Sequence, residues 1–419
     1  MRILSILFVF ISAALFGQST LYTNATIHIG NGEKIEKGFL QINADGLIEA
    51  VGEGAGPSDV KTVVNLDGKH IYPGIIAPNS TLGLQEIGAV RATRDLREIG
   101  KFTPNVRSKV AFNTDSEILP TITCNGVLVG QITPRGGFFS GSSSVMYLDE
   151  RNWEEASISS DEGVHVYLPS RYRRSGWWAN PGPITVNKNY EKDFAEIKNF
   201  LNEAKAYNEA QPLKKNISLA AMKSVFEGQQ KVYLHTESAQ AFMDAAIILK
   251  EMGISKLVWI GAYEADQVSD YLVANNIPVL LRRTHELPMF DDDAVDKPFF
   301  LAKTLTEKGV LVGLENSGDM EQMNTRNLPY LAGTLMQYGW TAEQALSLIT
   351  LNSAKILGVD AQLGSIEKGK HATFFISTGN ALEMAFNGVE MAFIKGRQLD
   401  FSKNRQLQLY NKYHSFYKE

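Results

Sequence analysis

The chain of 419 residues holds one cysteine, Cys124, and seven histidines. With a single thiol no internal disulfide can form, so stability has to come from a packed core, even in an exported protein. Positive charge is not in excess either: 41 lysines and arginines against 46 acidic residues leave a formal net charge of -5. No broad positive field is available to hold phosphate backbones or anionic lipid, which sets nucleic acid aside as a partner. Internal repeats and low-complexity stretches are absent, and the apolar run at the N-terminus, Ile3 to Phe16, is too short for an ordinary membrane helix.

What is present begins with that run. Arg2 precedes it and small and polar residues follow it, the pattern of a secretory leader. Cleavage is expected near Gly17 to Ser19, and with no cysteine beside that site there is no lipoprotein attachment point. The expectation is a periplasmic or secreted protein with no stable membrane span after cleavage. A chain of this length, 44% hydrophobic, exceeds what one core usually holds, so two structural units are expected.

Both ends read as β-structure. Thr26 to Ile29, Gly38 to Ile42, Leu47 to Val51 and Val63 to Leu66 are short apolar runs punctuated by Asn31-Gly32, Asp45-Gly46 and Asp67-Gly68, strong hairpin signals. Ala372 to Ser377 and Met391 to Ile394, with Asn387-Gly388 between them, repeat the style. From Pro73 to Gly358 the strand candidates Val127 to Ile132, Val145 to Leu148, Lys231 to Leu234, Lys256 to Ile260, Val279 to Leu281 and Val310 to Leu314 alternate with amphipathic segments such as Glu191 to Glu209 and Ala239 to Met252. That alternation predicts parallel β/α units, about eight of which close into a barrel. The expected fold class is therefore α/β: a (β/α)8 TIM-like barrel, residues 73–358, inserted into a small β-sandwich made of residues 20–72 plus 359–401, with a leader at 1–19 and a tail at 402–419.

Five segments carry a likeness to a known family: PGIIAPNST from Pro73, VYLHTESAQ from Val232, WIGAYEADQVSDYL from Trp259, VLVGLENSGD from Val310, and ITLNSAKILGVDAQLGSIEKGKHATFFI from Ile349. Together they resemble the amidohydrolase superfamily, in its imidazolonepropionase-like and prolidase-like branch, over nearly all of the mature chain. The resemblance implies hydrolysis of carbon–nitrogen bonds other than peptide bonds, on a divalent ion at the C-terminal mouth of the barrel. It also implies the ion's ligands: two histidines after the first strand, one each after the fifth and sixth, and an aspartate after the eighth. Such an ion lowers the pKa of its bound water to about 7.

Carried across, those positions are Asn79, Thr81, His235, Gly261 and Glu315. Asn79 and Thr81 are neutral and poor ligands for zinc-like ions, Gly261 offers no side chain, and Glu315 keeps the charge on a longer arm. Strand alternation puts Glu237 on the face of His235, which leaves room for at most a weakly held divalent ion at His235, Glu237 and Glu315. No cofactor is expected. Two readings stand. One is a hydrolase of cyclic amides, dipeptides or related carbon–nitrogen bonds with impaired or altered activity, in which His235 and Glu315 are catalytic. The other is a metal-free pseudoenzyme that binds a small molecule, or that pairs with an active paralogue or with its own copies.

Three further stretches bear on the mouth. Pro134 to Ser144, rich in glycine and serine, is expected as a tight loop lining the pocket with Arg135 as its charge; no P-loop lysine accompanies it. Asn316 and Asp319 favour a polar mouth beside Glu315. Arg171 to Trp178 either stacks on a sugar, a peptide or a partner protein, or caps the barrel with its rings turned inward. Asp291 to Asp293 reads as a solvated turn.

Overall fold

A computed structural model describes residues 19–177, 180–210, 213–318 and 320–417; the leader through Gln18, together with Trp178 and Asp319, lies outside the described residues. The N-terminal part forms β1 (Thr20–His28), β2 (Lys34–Ile42), β3 (Ile48–Glu53), β4 (Thr62–Asn65) and β5 (His70–Pro73). The barrel region supplies β6 (Ile75–Ser80), β7 (Val127–Ile132), β8 (Phe139–Tyr147) and β9 (Ser157–Tyr167), then a separate hairpin of β10 (Tyr172–Trp177) and β11 (Asn180–Val186). It continues with β12 (Lys231–Thr236), β13 (Leu257–Gly261), β14 (Val279–Leu281) and β15 (Val312–Leu314). The chain returns to the first sheet as β16 (Phe374–Ser377), β17 (Val389–Ile394) and β18 (Arg397–Gln398).

Strands from both ends share one sheet, in the order β18-β17-β16-β5-β1-β2-β3 with β4 alongside β1. Its core is separate from the barrel's and is built on Ile27, Leu40, Ile48, Ile71 and Phe374. The turn at Gly46 explains one residue choice: a Cβ there would stand 2.0 Å from the carbonyl oxygen of Lys395, so only glycine lets this turn touch the C-terminal strands.

The second sheet runs β6-β7-β8-β9-β12-β13-β14-β15, eight strands that nearly close into a barrel. Seven connections between neighbours hold it, and two of them are antiparallel: β8 runs against both β7 and β9. The all-parallel alternation expected from the sequence therefore breaks at β8, and the Pro134 to Ser144 stretch corrects with it. Only its first five residues connect β7 to β8, while Phe139 to Ser144 are buried strand. Small residues suit that place because β8 is packed on every side and large ones would not fit. The helix Leu351–Leu357 packs on both β6 and β15, and Ile76 N donates to Ile349 O at 2.9 Å, bringing the two ends of the sheet together. Helices cover the outside, as where Phe242 of the helix Ala239–Glu251 stacks on Trp259 of β13 at 4.1 Å between centroids. Among the described residues no helix is long and apolar enough to cross a membrane.

Candidate functional site at the barrel mouth

The C-terminal strand ends bring most of the sequence-nominated residues to one place, and an arginine stands among them. Arg135, just past β7, sends Nη1 to Asn79 Oδ1 at 2.9 Å and Nη2 to the Asn79 carbonyl at 2.8 Å. Nη2 also reaches Glu321 at 3.1 Å, forming a buried ion pair. Burial works against the Arg135 charge, but Tyr167, Glu321 and Glu315 beside it outweigh burial and push its pKa up. A guanidinium is in any case protonated throughout the working pH range.

Asn79 adopts a left-handed backbone, φ +49°, and its N–H donates to Gln131 Oε1 at 2.9 Å. Thr81 donates its hydroxyl to Glu321 and accepts from Gln322 Nε2 at 2.7 Å. Gly261 ends β13 at φ +92°, and a Cβ there would lie 2.9 Å from the Glu237 carboxylate. Glu237 thus fills the space a side chain at 261 would need. Its carboxyl pKa is raised by burial, with Arg282, 3.7 Å away, working the other way.

Glu315 follows β15 and is fully buried, its N–H donating to Leu281 O at 2.8 Å. Burial raises its pKa to about 7, against the opposing Ser317 N–H and hydroxyl and the charges of Arg282 and Arg135. Asn316, also buried, donates toward the Glu321 carbonyl at 3.4 Å. His235 packs its ring on Tyr167 at 4.0 Å and contacts His165 through Nε2 at 2.7 Å. Burial, then the Arg135 charge, pushes the His235 pKa well down, so this imidazole is neutral.

Whether these residues suit a divalent ion is a question of donors. Asn79 spends its side-chain oxygen on Arg135, Thr81 spends its hydroxyl on Glu321, and position 261 has nothing to offer. Among the described residues no three histidine, cysteine, aspartate or glutamate side chains gather closely enough to hold a metal, so His235, Glu237 and Glu315 do not form one group. The strand β12 ends at Thr236, and the alternation that would align Glu237 with His235 lapses there. A fixed guanidinium in the same space also repels a second cation. The residues present do not fit the ion.

Beside this buried set lies an open cleft in two lobes that meet at Glu237 and Met289. One, of about 140 Å³, is lined by Tyr263, Arg282, Arg283 and Leu287. The other, of about 400 Å³, is lined by Leu168, Arg171, Tyr172, Ile184 and Phe290. The Arg171 to Trp178 stretch supplies β10 to its wall: Arg171 lies 4.7 Å over the Tyr190 ring and Tyr172 is exposed. Asp293, read from sequence as part of a solvated turn, is instead tied to the Tyr263 hydroxyl at 2.7 Å and to Lys297 at 3.2 Å.

Sequence reasoning missed Glu321 and gave His165 no place in the site. Glu321 left no local signal, because its partners Thr81 and Arg135 are distant in the chain. His165 had one: it alternates with Val164 and Val166 in β9, a strand hidden by its polar first half.

Three comparisons complete the description. The model of the amidohydrolase family matches residues 215–399. No curated protein matches the chain. Among solved structures, an amidohydrolase from Thermotoga maritima MSB8 is similar at TM-score 0.77 and 24% identity, covering 91% of this chain and 99% of that one. A Xaa-Pro dipeptidase with bound methionine in its active site is similar at TM-score 0.54 and 14% identity over 91% of this chain and 100% of its own. An adenosine deaminase from Xanthomonas campestris with bound zinc is similar at TM-score 0.52 and 13% identity over 94% and 98%.

Proposed function

Starting from a chain that has the amidohydrolase fold and matches that family over residues 215–399, we propose that it is a metal-independent member whose mouth binds a small polar molecule. The family implies hydrolysis of carbon–nitrogen bonds. The observation that carries the metal-free reading is the Arg135 guanidinium bonded to both oxygens of Asn79, the first position at which the family resemblance expects a metal ligand. With that cation fixed in the mouth, activation of water by a second cation loses both its ligands and its space. The two-lobed cleft around Glu237, with acidic, basic and aromatic walls, is the ligand site in this reading. Purified protein assayed for zinc, iron and manganese is expected to hold far less than one equivalent, with a melting temperature unmoved by added zinc or by chelator. One tightly held equivalent per chain would overturn the proposal.

Glu315 favours a second reading, hydrolysis without metal. A buried carboxyl with a pKa of about 7 at a strand end is placed to act as a general base near neutral pH. Dipeptide or cyclic-amide hydrolysis that persists in chelator, rises through pH 7 and vanishes in Glu315→Gln would support it.

Export to the periplasm or medium, resting on the Met1 to Ser19 sequence pattern, belongs to the same proposal. N-terminal sequencing of the mature protein tests it: a chain that still begins at Met1 would count against it.

A further inference from the structure

The barrel carries a second recess at the end away from Arg135, and every charged group in its lining is positive. The strands β12, β13, β14 and β15 run parallel, so the mouth lies at their C-terminal ends and this groove crosses their N-terminal ends. Three steps between strands, about 4.8 Å each, give it a span of about 14 Å. It encloses about 640 Å³, and its lining holds Lys231, Lys256 and Lys355 without one aspartate or glutamate. Lys256 and Lys355 are exposed, and of the three only Lys231 has an ion-pair partner among the described residues, Glu162 at 3.8 Å. Lys231 is drawn inward, its Nζ 3.1 Å from where a Cβ on Gly358 would stand, at the end of the helix Leu351–Leu357 that carries Lys355. Burial lowers the Lys231 pKa; Glu162 opposes this and the charge of Lys256 adds to it. Lysines close enough to repel one another, with no acid in the groove between them, form an arrangement that an anion relieves. The floor is apolar: Val273 is 40% exposed there, with Pro278 and Leu311 half-buried beside it. On the far side of Lys231 and Lys256 a further recess of about 440 Å³ does hold acids, Asp161 and Glu162, and these turn an anion back toward the strand ends.

We propose that this groove is a binding site for a small organic anion, whose acid group sits among Lys231, Lys256 and Lys355 and whose apolar body lies along Val273, Pro278 and Leu311. Lysine suits such a ligand: a flexible ammonium follows the acid group while its methylene stem covers apolar surface. The two halves of the ligand are separately required. An acid group without a body gains nothing from the floor, and a body without an acid group leaves the lysines uncompensated. Barrels of this kind build their chemistry at the opposite face, so the groove binds and does not react. Its occupancy is independent of the mouth, and a metal or a substrate found beside Arg135 would leave the groove to be tested on its own.

Calorimetric titration of the full-length protein with three probes tests this: octanoate carries both halves, octan-1-ol only the body and acetate only the acid group. Octanoate, kept below its micelle concentration, is expected to bind at least about tenfold more tightly than either of the others. Lys256→Gln combined with Lys355→Gln alters two exposed side chains and is expected to weaken octanoate by about tenfold. Lys198→Gln combined with Lys215→Gln removes the same charge from exposed positions outside the groove, and is expected to leave the affinity within about twofold. Val273→Asp, which puts an acid on the floor, is expected to weaken octanoate by about tenfold as well, and stands alone if the lysine pair fails to fold. Absence of octanoate binding, equal affinity for octanoate and octan-1-ol, or equal weakening by the two lysine pairs would overturn the proposal. So would an affinity that neither the groove lysines nor Val273→Asp moves.

Discussion

Glu315 is the residue at which burial and charge are most directly opposed. Its pKa of about 7 lies above the value of an exposed glutamate, so the folded state holds a proton that the unfolded chain has already released. The stability this carboxyl contributes is therefore complete below the unfolded pKa and is lost as pH rises through about 7. Glu315→Gln is expected to raise stability at pH 8 by about 3 kcal/mol, from 1.36 kcal/mol per pKa unit, and to change little at pH 4.5. Urea titrations at the two pH values check this; equal effects at both would contradict it. The same substitution ends any role as a base, a familiar exchange of activity for stability. The family resemblance points to Asn79, Thr81, His235, Gly261 and Glu315 because each follows a recognisable apolar run. Nothing in the sequence reveals that Arg135 and Glu321 pair among them, since that contact exists only once β7 and the segment after β15 are side by side.

At the scale of elements, legibility follows burial pattern. β14 is a continuous apolar run and β7 is one broken only at Gly130 and Gln131; both were readable to their ends. β8 and β9 were not, because their inward positions carry serine, glutamate and histidine that satisfy one another inside the barrel, where a sequence reader expects valine or leucine. Polar alternation of this kind looks like loop until its partners are known. The outer face is conventional: Trp259, the largest fully buried side chain among the described residues, stacks there on Phe242. Trp259→Ala is expected to cost about 3–5 kcal/mol, and it also leaves the Thr236 carbonyl without the indole N–H that it accepts at 2.7 Å. Thermal unfolding measures the loss; a value under about 1 kcal/mol would mean that the site collapses to refill the space.

Across the whole molecule, burial holds down the pKa of five of the seven histidines. His165 and His235 are held far below the ordinary histidine value by burial, and His70, His285 and His371 are lowered as well, again mainly by burial. Groups with depressed pKa stabilise the fold above their unfolded value, about 6.5 for histidine, and that contribution is lost as pH falls. With the opposing Glu315 effect removed in Glu315→Gln, the urea midpoint is expected to drop steadily from pH 7 to pH 5. A flat profile would mean that the interior histidines are hydrated.

The seam where β5 meets β16 pairs Ile71 with Ile376. A ribosome adding roughly 5–20 residues each second needs on the order of 15–60 s to supply the second half of that seam after the first has emerged. Throughout that interval β5 offers an unmated backbone rim to any extended segment that drifts past. Aggregation during synthesis should therefore be governed by how quickly the last fifty or so residues arrive, and a copy lacking them should precipitate even though its barrel sequence is intact.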